Sequence, residues 1–149
     1  MKHVLAIGVF DLFHVGHLRY LQFARRQGEL LSVAVWPDAL VLHGKGATPV
    51  IAQEQRLEML RGLGWIDHVT LLPVSTEEAG AAAAWIAACG IDCVAAGGEW
   101  RGSARWSRLG AALAERQIAV IYAPHTPGIS STLIAKSIRE QSGTLTPRA

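Results

Sequence analysis

Apolar residues alternate between two rhythms along this chain. Five short runs are apolar on both faces: HVLAIGV (3–9), LLSVAVW (30–36), HVTLLPV (68–74), CVAA (93–96) and IAVIYA (118–123). Runs of this kind read as strands buried on both sides. Between them, apolar positions recur every three or four residues. Leu18, Leu21 and Ala24 put one face of a helix over 17–27, with Gly28 as its stop. Leu57, Leu60 and Leu63 do the same over 53–63, ahead of Gly64. Ser75 and Glu78 have the spacing of a capping box and open an alanine-rich helix to Cys89. Further helices are predicted over 104–117 and from the serines at 130–131 to about 141. Residues 37–52, with Pro37, Gly44, Gly46 and Pro49, predict a long loop of the functional or mobile kind.

Doubly buried strands that alternate with helices predict an α/β fold. The expected architecture is a Rossmann-like three-layer sandwich with a five-stranded, mostly parallel sheet and right-handed crossovers. No repeat or linker divides the chain, so residues 1–141 read as one domain and 142–149 as a tail that frays. In such sheets ligands bind beyond the carboxyl ends of the strands. Four unusual segments fall there: 8–17, 37–49, 97–102 and 125–132.

Composition narrows the class. The chain has 149 residues, half of them apolar (50%) and 17% charged, which suits one folded domain and argues against disorder. A net charge of +2 is too small to point to nucleic acid. No run is long and apolar enough for a membrane span. The basic and apolar start lacks a signal-peptide cleavage site before Asp11 and His14. Cys89 and Cys93 have no further ligand at metal spacing and read as reduced thiols, so the cytoplasm is the default location.

The stretch GVFDLFHVGH, 8–17, carries the chemistry. His14 and His17 lie about one helical turn apart where a strand turns into a helix, so both can face one point above the helix N-terminus. The unpaired amides there and the helix dipole favour an anion. Gly16 between them leaves the backbone open to a ligand. Two imidazoles and backbone amides make a phosphate cradle. Asp11, His14 and His17 as three ligands of a metal is the other reading of the same spacing. Lys45, alone between Gly44 and Gly46, reads as a surface lysine or as a mobile clamp on phosphate.

The motif resembles the first signature of the cytidylyltransferase-like nucleotidyltransferases, and other stretches agree in order and spacing. Asp38 follows the second strand. GKGATPVIAQEQRLEML, 44–60, is similar to the loop and arginine-bearing helix of heptose-phosphate adenylyltransferases, which places Arg56. GGEW, 97–100, is similar to their Gly-Gly-Asp-Tyr and to the Gly-Asp-Asp-Trp of glycerol-3-phosphate cytidylyltransferases. GISSTLI, 128–134, resembles the Gly-Ile-Ser-Thr-Thr element of the cytidylyltransferases. The lysine-rich loop of the related class I aminoacyl-tRNA synthetases is absent.

The resemblance implies transfer of a nucleoside monophosphate from a triphosphate, with Mg2+, to a small phosphorylated alcohol or sugar, releasing pyrophosphate. It makes His14, His17 and Lys45 catalytic. It puts Gly8, Val9, Phe10, Gly16, Gly97, Glu99, Trp100, His125, Gly128, Ile129, Ser130, Ser131 and Thr132 at the nucleotide. Asp11, Asp38 and Arg56 fall at the acceptor, with no protein-held metal. His14, His17, Lys45, Arg56, the divalent ion and the helix start at Ser130–Thr132 would offset the repulsion of two phosphates. The GISST element leans toward CTP, and GKGATPV and EQR toward ATP, with CTP favoured. A homodimer is implied, and Trp65 and Ile66 just past a helix stop are candidate apolar surface. His125 stands where the cytidylyltransferases carry an arginine, Gly98 and Glu99 where they carry acids, and Ala96 where the heptose enzymes carry lysine. The alternative is a non-catalytic, nucleotide-binding regulatory module.

Overall fold

The structure is a computed structural model that describes residues 1–142. Its elements are β1 (His3–Gly8), α1 (Val15–Arg25), β2 (Leu30–Val35), α2 (Asp38–Lys45), α3 (Gln53–Arg61), β3 (His68–Leu71), α4 (Ala79–Ala88), β4 (Cys93–Ala96), α5 (Ala104–Ala114), β5 (Ala119–Tyr122) and α6 (Ser131–Ser142). A 3-10 turn, Gly98–Trp100, follows β4. The strands form one sheet in the order β3-β2-β1-β4-β5, and every pairing is parallel.

β1, β2 and β4 each feed two cores, whereas the edge strands β3 and β5, expected to be buried on both sides, hold no buried residue and pack on one core each. Leu5, Ile7, Ala34, Val94 and Ala96 face Ala82, Ala83 and Ile86 of α4 and Trp106, Leu109 and Leu113 of α5. Val4, Ala6, Val33, Val35 and Ala95 face Leu21 and Ala24 of α1 and Leu57 and Leu60 of α3. Alternate residues of one strand thus serve opposite layers, as the strand period requires.

The order reverses between β1 and β4, and the site opens there. β1 pairs with β2 as far as Gly8 opposite Val35, but with β4 only from Val4 to Ala6. Where β1 and β4 part, the Tyr20 hydroxyl joins them. It accepts the Ile7 N–H at 3.1 Å and donates to the Ala95 carbonyl at 2.5 Å. Burial pushes its ionisation well above the usual tyrosine range.

Several boundaries differ from expectation. The first helix starts at Val15, because His14 caps it. Half of the expected loop at 37–52 is α2, which ends where Gly46 turns into the left-handed region at φ 76°. Ser75 and Glu78 form no capping box. The Ser75 hydroxyl accepts the Glu77 N–H and its carbonyl the Glu78 N–H, making a turn, and α4 starts at Ala79 without a side-chain cap. The last helix includes Ser142. The rest of the expected tail, 143–149, lies outside the described residues. Trp65 and Ile66 pack against the α1/α3 core. Among the described residues no helix is long and apolar enough to cross a membrane, and both cysteines are free thiols.

Candidate active site

The α1 start is built from its own histidines. His14 sits extended at φ −141° as the N-cap, and its Nδ1 accepts the Gly16 N–H at 3.0 Å. The His17 Nδ1 reaches back to accept the His14 N–H at 3.2 Å. This reciprocal pair is a capping box made of imidazoles. It stacks the two rings 3.8 Å apart at 28°. Gly16 is needed for it, since a Cβ there would come within 2.8 Å of the His14 ring.

The bonds fix the tautomers. A neutral imidazole whose Nδ1 accepts must carry its proton on Nε2. Each ring therefore offers a ligand one donor, Nε2–H, as a neutral group. Burial is the main cause that pushes His17 down to about 4, the His14 charge adds to it, and Asp11 opposes it. Burial lowers His14 as well. His17 also lies against Phe10 and Phe13. The expectation that these rings act as cations gives way to a pair of neutral N–H donors.

Asp11 ties the turn to its neighbours. Its carboxylate accepts the N–H groups of Val50 and Ile51 at 2.8 and 2.9 Å and that of Leu12 at 3.1 Å. Its carbonyl accepts the Ser131 hydroxyl at 2.6 Å. A metal shared by Asp11, His14 and His17 does not fit, because the carboxylate and both Nδ1 atoms hold backbone amides. Among the described residues no cluster of three or more His, Cys, Asp and Glu is arranged for a metal ion. Phe10 and Leu12 adopt left-handed backbone at φ 57° and 48°, a strain that this turn holds in place.

A cavity of about 960 Å³ lies over this edge of the sheet. Gly8, Val9, Phe10, Asp11, His14, Gly16 and His17 form its floor. Exposed Lys45, at the end of α2, overhangs it and makes no ion pair among the described residues. Gly97, Glu99, Trp100 and His125 line the β4–β5 side, and Ile129, Ser130, Ser131 and Thr132 the α6 side. Ser130, not Ser131 or Thr132, caps α6, since its Oγ accepts the Leu133 N–H at 3.0 Å. The His125 Nδ1 stands 3.7 Å from the Glu99 carboxylate, both side chains more than half exposed. Gly98 lets the backbones meet here, because a Cβ would strike the Ala123 carbonyl.

Gly128, Asp38 and Arg56 do not line the cavity. Gly128 sets the turn before α6 at φ 79°. Arg56 is fully buried. Its Nε donates to the Ile51 carbonyl at 2.9 Å, its Nη1 to Val9 and Trp36 at 2.7 and 2.8 Å, and its Nη2 to Asp38 at 2.6 Å. An acceptor contact for Arg56 does not fit this geometry. The guanidinium instead clips the outgoing ends of β1 and β2 to the loop after α2. Sequence reasoning missed Tyr20, Trp36, Glu77 and Arg105 in the cavity wall. Only Trp36, at the carboxyl end of a strand, carried a signal.

Residues 5–137 match the family model described as cytidylyltransferase-like. A FAD synthase of Methanohalophilus mahii is 42% identical over 71 residues, 48% of this chain and 49% of that protein. The bifunctional protein HldE of Pseudomonas putida is 44% identical over 78 residues, 52% of this chain and 16% of that protein. The matches thus cover about half of the first relative and a small part of the second. Among solved structures, the lipopolysaccharide core biosynthesis protein of Thermoplasma volcanium superposes with a TM-score of 0.69 at 23% identity, over 85% of this chain and 98% of that one. Pantothenate synthetase of Thermus thermophilus gives 0.64 at 13% identity, over 97% and 71%. At these identities the two structures share the fold.

Proposed function

Because the chain belongs to the cytidylyltransferase-like family, we propose that it is a nucleotidyltransferase. It would join the nucleoside monophosphate of a triphosphate to a small phosphorylated alcohol or sugar and release pyrophosphate. The observation that carries this is the stacked, self-capping pair of neutral imidazoles on the cavity floor. CTP is the favoured donor, with ATP as the alternative.

In this reading an acceptor phosphate oxygen attacks the α-phosphorus, and the bond to pyrophosphate breaks on the opposite side. No protein nucleophile takes part. The His14 and His17 Nε2–H groups donate to the phosphate oxygens on which charge builds, from fixed positions that need no reorganisation. The Ser131 and Thr132 amides at the α6 start face the triphosphate, where the dipole favours an anion. Lys45 supplies the mobile positive charge. Mg2+ would enter with the triphosphate, held through its oxygens, and lessen the repulsion between the reacting phosphates. Alignment of the two substrates contributes much of the acceleration. A cytoplasmic location is part of the same proposal, since such substrates are cytoplasmic metabolites. The homodimer rests on the family likeness, since Trp65 and Ile66 are half-buried against the α1/α3 core, and light scattering tests it.

Pyrophosphate release should be measured with CTP and ATP against glycerol phosphate, phosphocholine, phosphoethanolamine, sugar 1-phosphates and flavin mononucleotide, with magnesium. Release that depends on one acceptor supports transfer. Tight triphosphate binding with no release across the panel favours the regulatory module, for which the exchange of arginine for His125 speaks.

A further inference from the structure

The walls of the cavity are wet. The Arg105 guanidinium, 5.8 Å from the Trp36 ring centre, pairs with the Glu77 carboxylate at 2.5 Å, and the two side chains are 32% and 51% exposed. Such a pair exchanges easily with water or ligand. The floor is built differently, because four aromatic rings pass from it down to the sheet. His14 stacks on His17. Phe10 meets His17 nearly edge to face, with ring centres 5.5 Å apart at 62°. Below it, Tyr20 lies close to parallel with Phe10, 6.2 Å away at 24°. The Tyr20 hydroxyl ends the column between β1 and β4, where it accepts the Ile7 N–H and donates to the Ala95 carbonyl.

Each ring of this column takes its place from the one beneath. The hydrogen bond from the His14 N–H to the His17 Nδ1 fixes one atom of the His17 imidazole. One fixed atom does not fix a plane, so the direction of the opposite Nε2–H depends on what the ring leans against. Phe10 has no polar handle and is 2% exposed. Its left-handed backbone turns it back over Gly8, where a Cβ would come within 2.9 Å of the phenyl ring. Tyr20 is the member with a handle, and that handle is tied to two strands.

Resting on the transfer reading for the task of His17, we propose that Tyr20 is a positioning residue. Tied to β1 and β4 by its hydroxyl, it props Phe10, and Phe10 sets the plane of the His17 imidazole and the aim of its Nε2–H. The parting of β1 and β4 that opens the site thus also aims a donor within it.

Tyr20→Phe removes the tie and keeps the ring, and Phe10→Leu keeps the tie and removes the prop. The melting temperature of Tyr20→Phe should fall, since two backbone groups lose a partner, so rates are read well below it. Each substitution should lower kcat for pyrophosphate release about tenfold, less than removal of the imidazole itself. The CTP KM of Tyr20→Phe should stay within about twofold. In a His17→Ala background neither substitution should lower kcat further, because both act through that ring. Histidine NMR reads the ring without turnover. In the parent, burial is the main cause that holds His17 down to about 4, with His14 adding and Asp11 opposing. A loosened ring takes up water, so its titration should move up toward the ordinary 6.5 in both variants. If Tyr20→Phe does not fold, Phe10→Leu carries the same readouts. An unmoved His17 titration overturns the proposal, with or without turnover. Unchanged kcat in an active enzyme overturns it too, as does an equal loss of kcat with and without His17. A moved titration in a protein that releases no pyrophosphate from any acceptor supports the positioning and refutes transfer.

Discussion

Replacing Arg56 by Met keeps the length and apolar stem of the side chain and removes the guanidinium. Three half-buried carbonyls, of Val9, Trp36 and Ile51, then lose their donor, and Asp38 loses its counter-charge. Breaking a buried ion pair from one side costs about 3–5 kcal/mol, and each orphaned buried acceptor adds about 1–3. These terms share one side chain and do not sum, and Asp38, 31% exposed, recovers part of its hydration. The expected loss is about 4 kcal/mol, a large part of the roughly 5–15 kcal/mol that holds a domain of this kind together. Asp38→Asn keeps an acceptor for the guanidinium and should cost less, about 1–2 kcal/mol. Urea unfolding followed by tryptophan fluorescence measures both, and the double variant gives their coupling. The bracing role is refuted if Arg56→Met loses under about 1 kcal/mol while the acceptor KM rises, for then Arg56 is a substrate ligand.

His14→Ala or His17→Ala should lower turnover about 10²- to 10³-fold, as for loss of one charge-stabilising donor, and near-normal pyrophosphate release in either would refute the cradle. The native protein holds His17 near 4 against 6.5 in the free side chain, so the unfolded chain binds more protons between those values. Stability should be complete above pH 6.5 and fall as the pH drops toward 4, by up to about 3 kcal/mol from this group, and His17→Asn should flatten that slope in acid-melting curves. Lys45→Ala should raise the triphosphate KM, and bound triphosphate should protect residues 43–50 from protease in the parent protein. Gly16→Ala should push the His14 ring off its cap, cost about 1 kcal/mol of stability and lower turnover with it, as paired melting and rate measurements would show.

Much of the fold was legible in the sequence. Strands apolar on both faces announce two covering layers, and all five strands fall within the predicted runs. The place of the site was legible too, since the histidine motif sits where a strand gives way to a helix. What escaped was tertiary or local in a way that pattern does not carry. An imidazole is not a usual cap, so α1 seemed to begin two residues late. The eight residues of α2 hold their apolar residues in one consecutive run, 39–42, which shows no helical period. The resemblance put Arg56 at the acceptor, whereas strand-end carbonyls draw it inside. Arg105, Glu77 and Trp36 meet from three elements far apart in the chain, and no spacing announces such a meeting.

The reciprocal caps of His14 and His17 bind two selective pressures to one pair of residues. The groups that would stabilise the reacting phosphates are also those that begin α1, so folding of that helix and assembly of the site are a single event. A descendant that gave up turnover would still be pressed to retain both imidazoles, since losing either frays a helix against the central strand. The motif can therefore outlive the reaction in a lineage. The parts free to drift are those with no share in the scaffold, such as exposed Lys45 and the wet pair of Arg105 and Glu77, and divergence among relatives should gather there first.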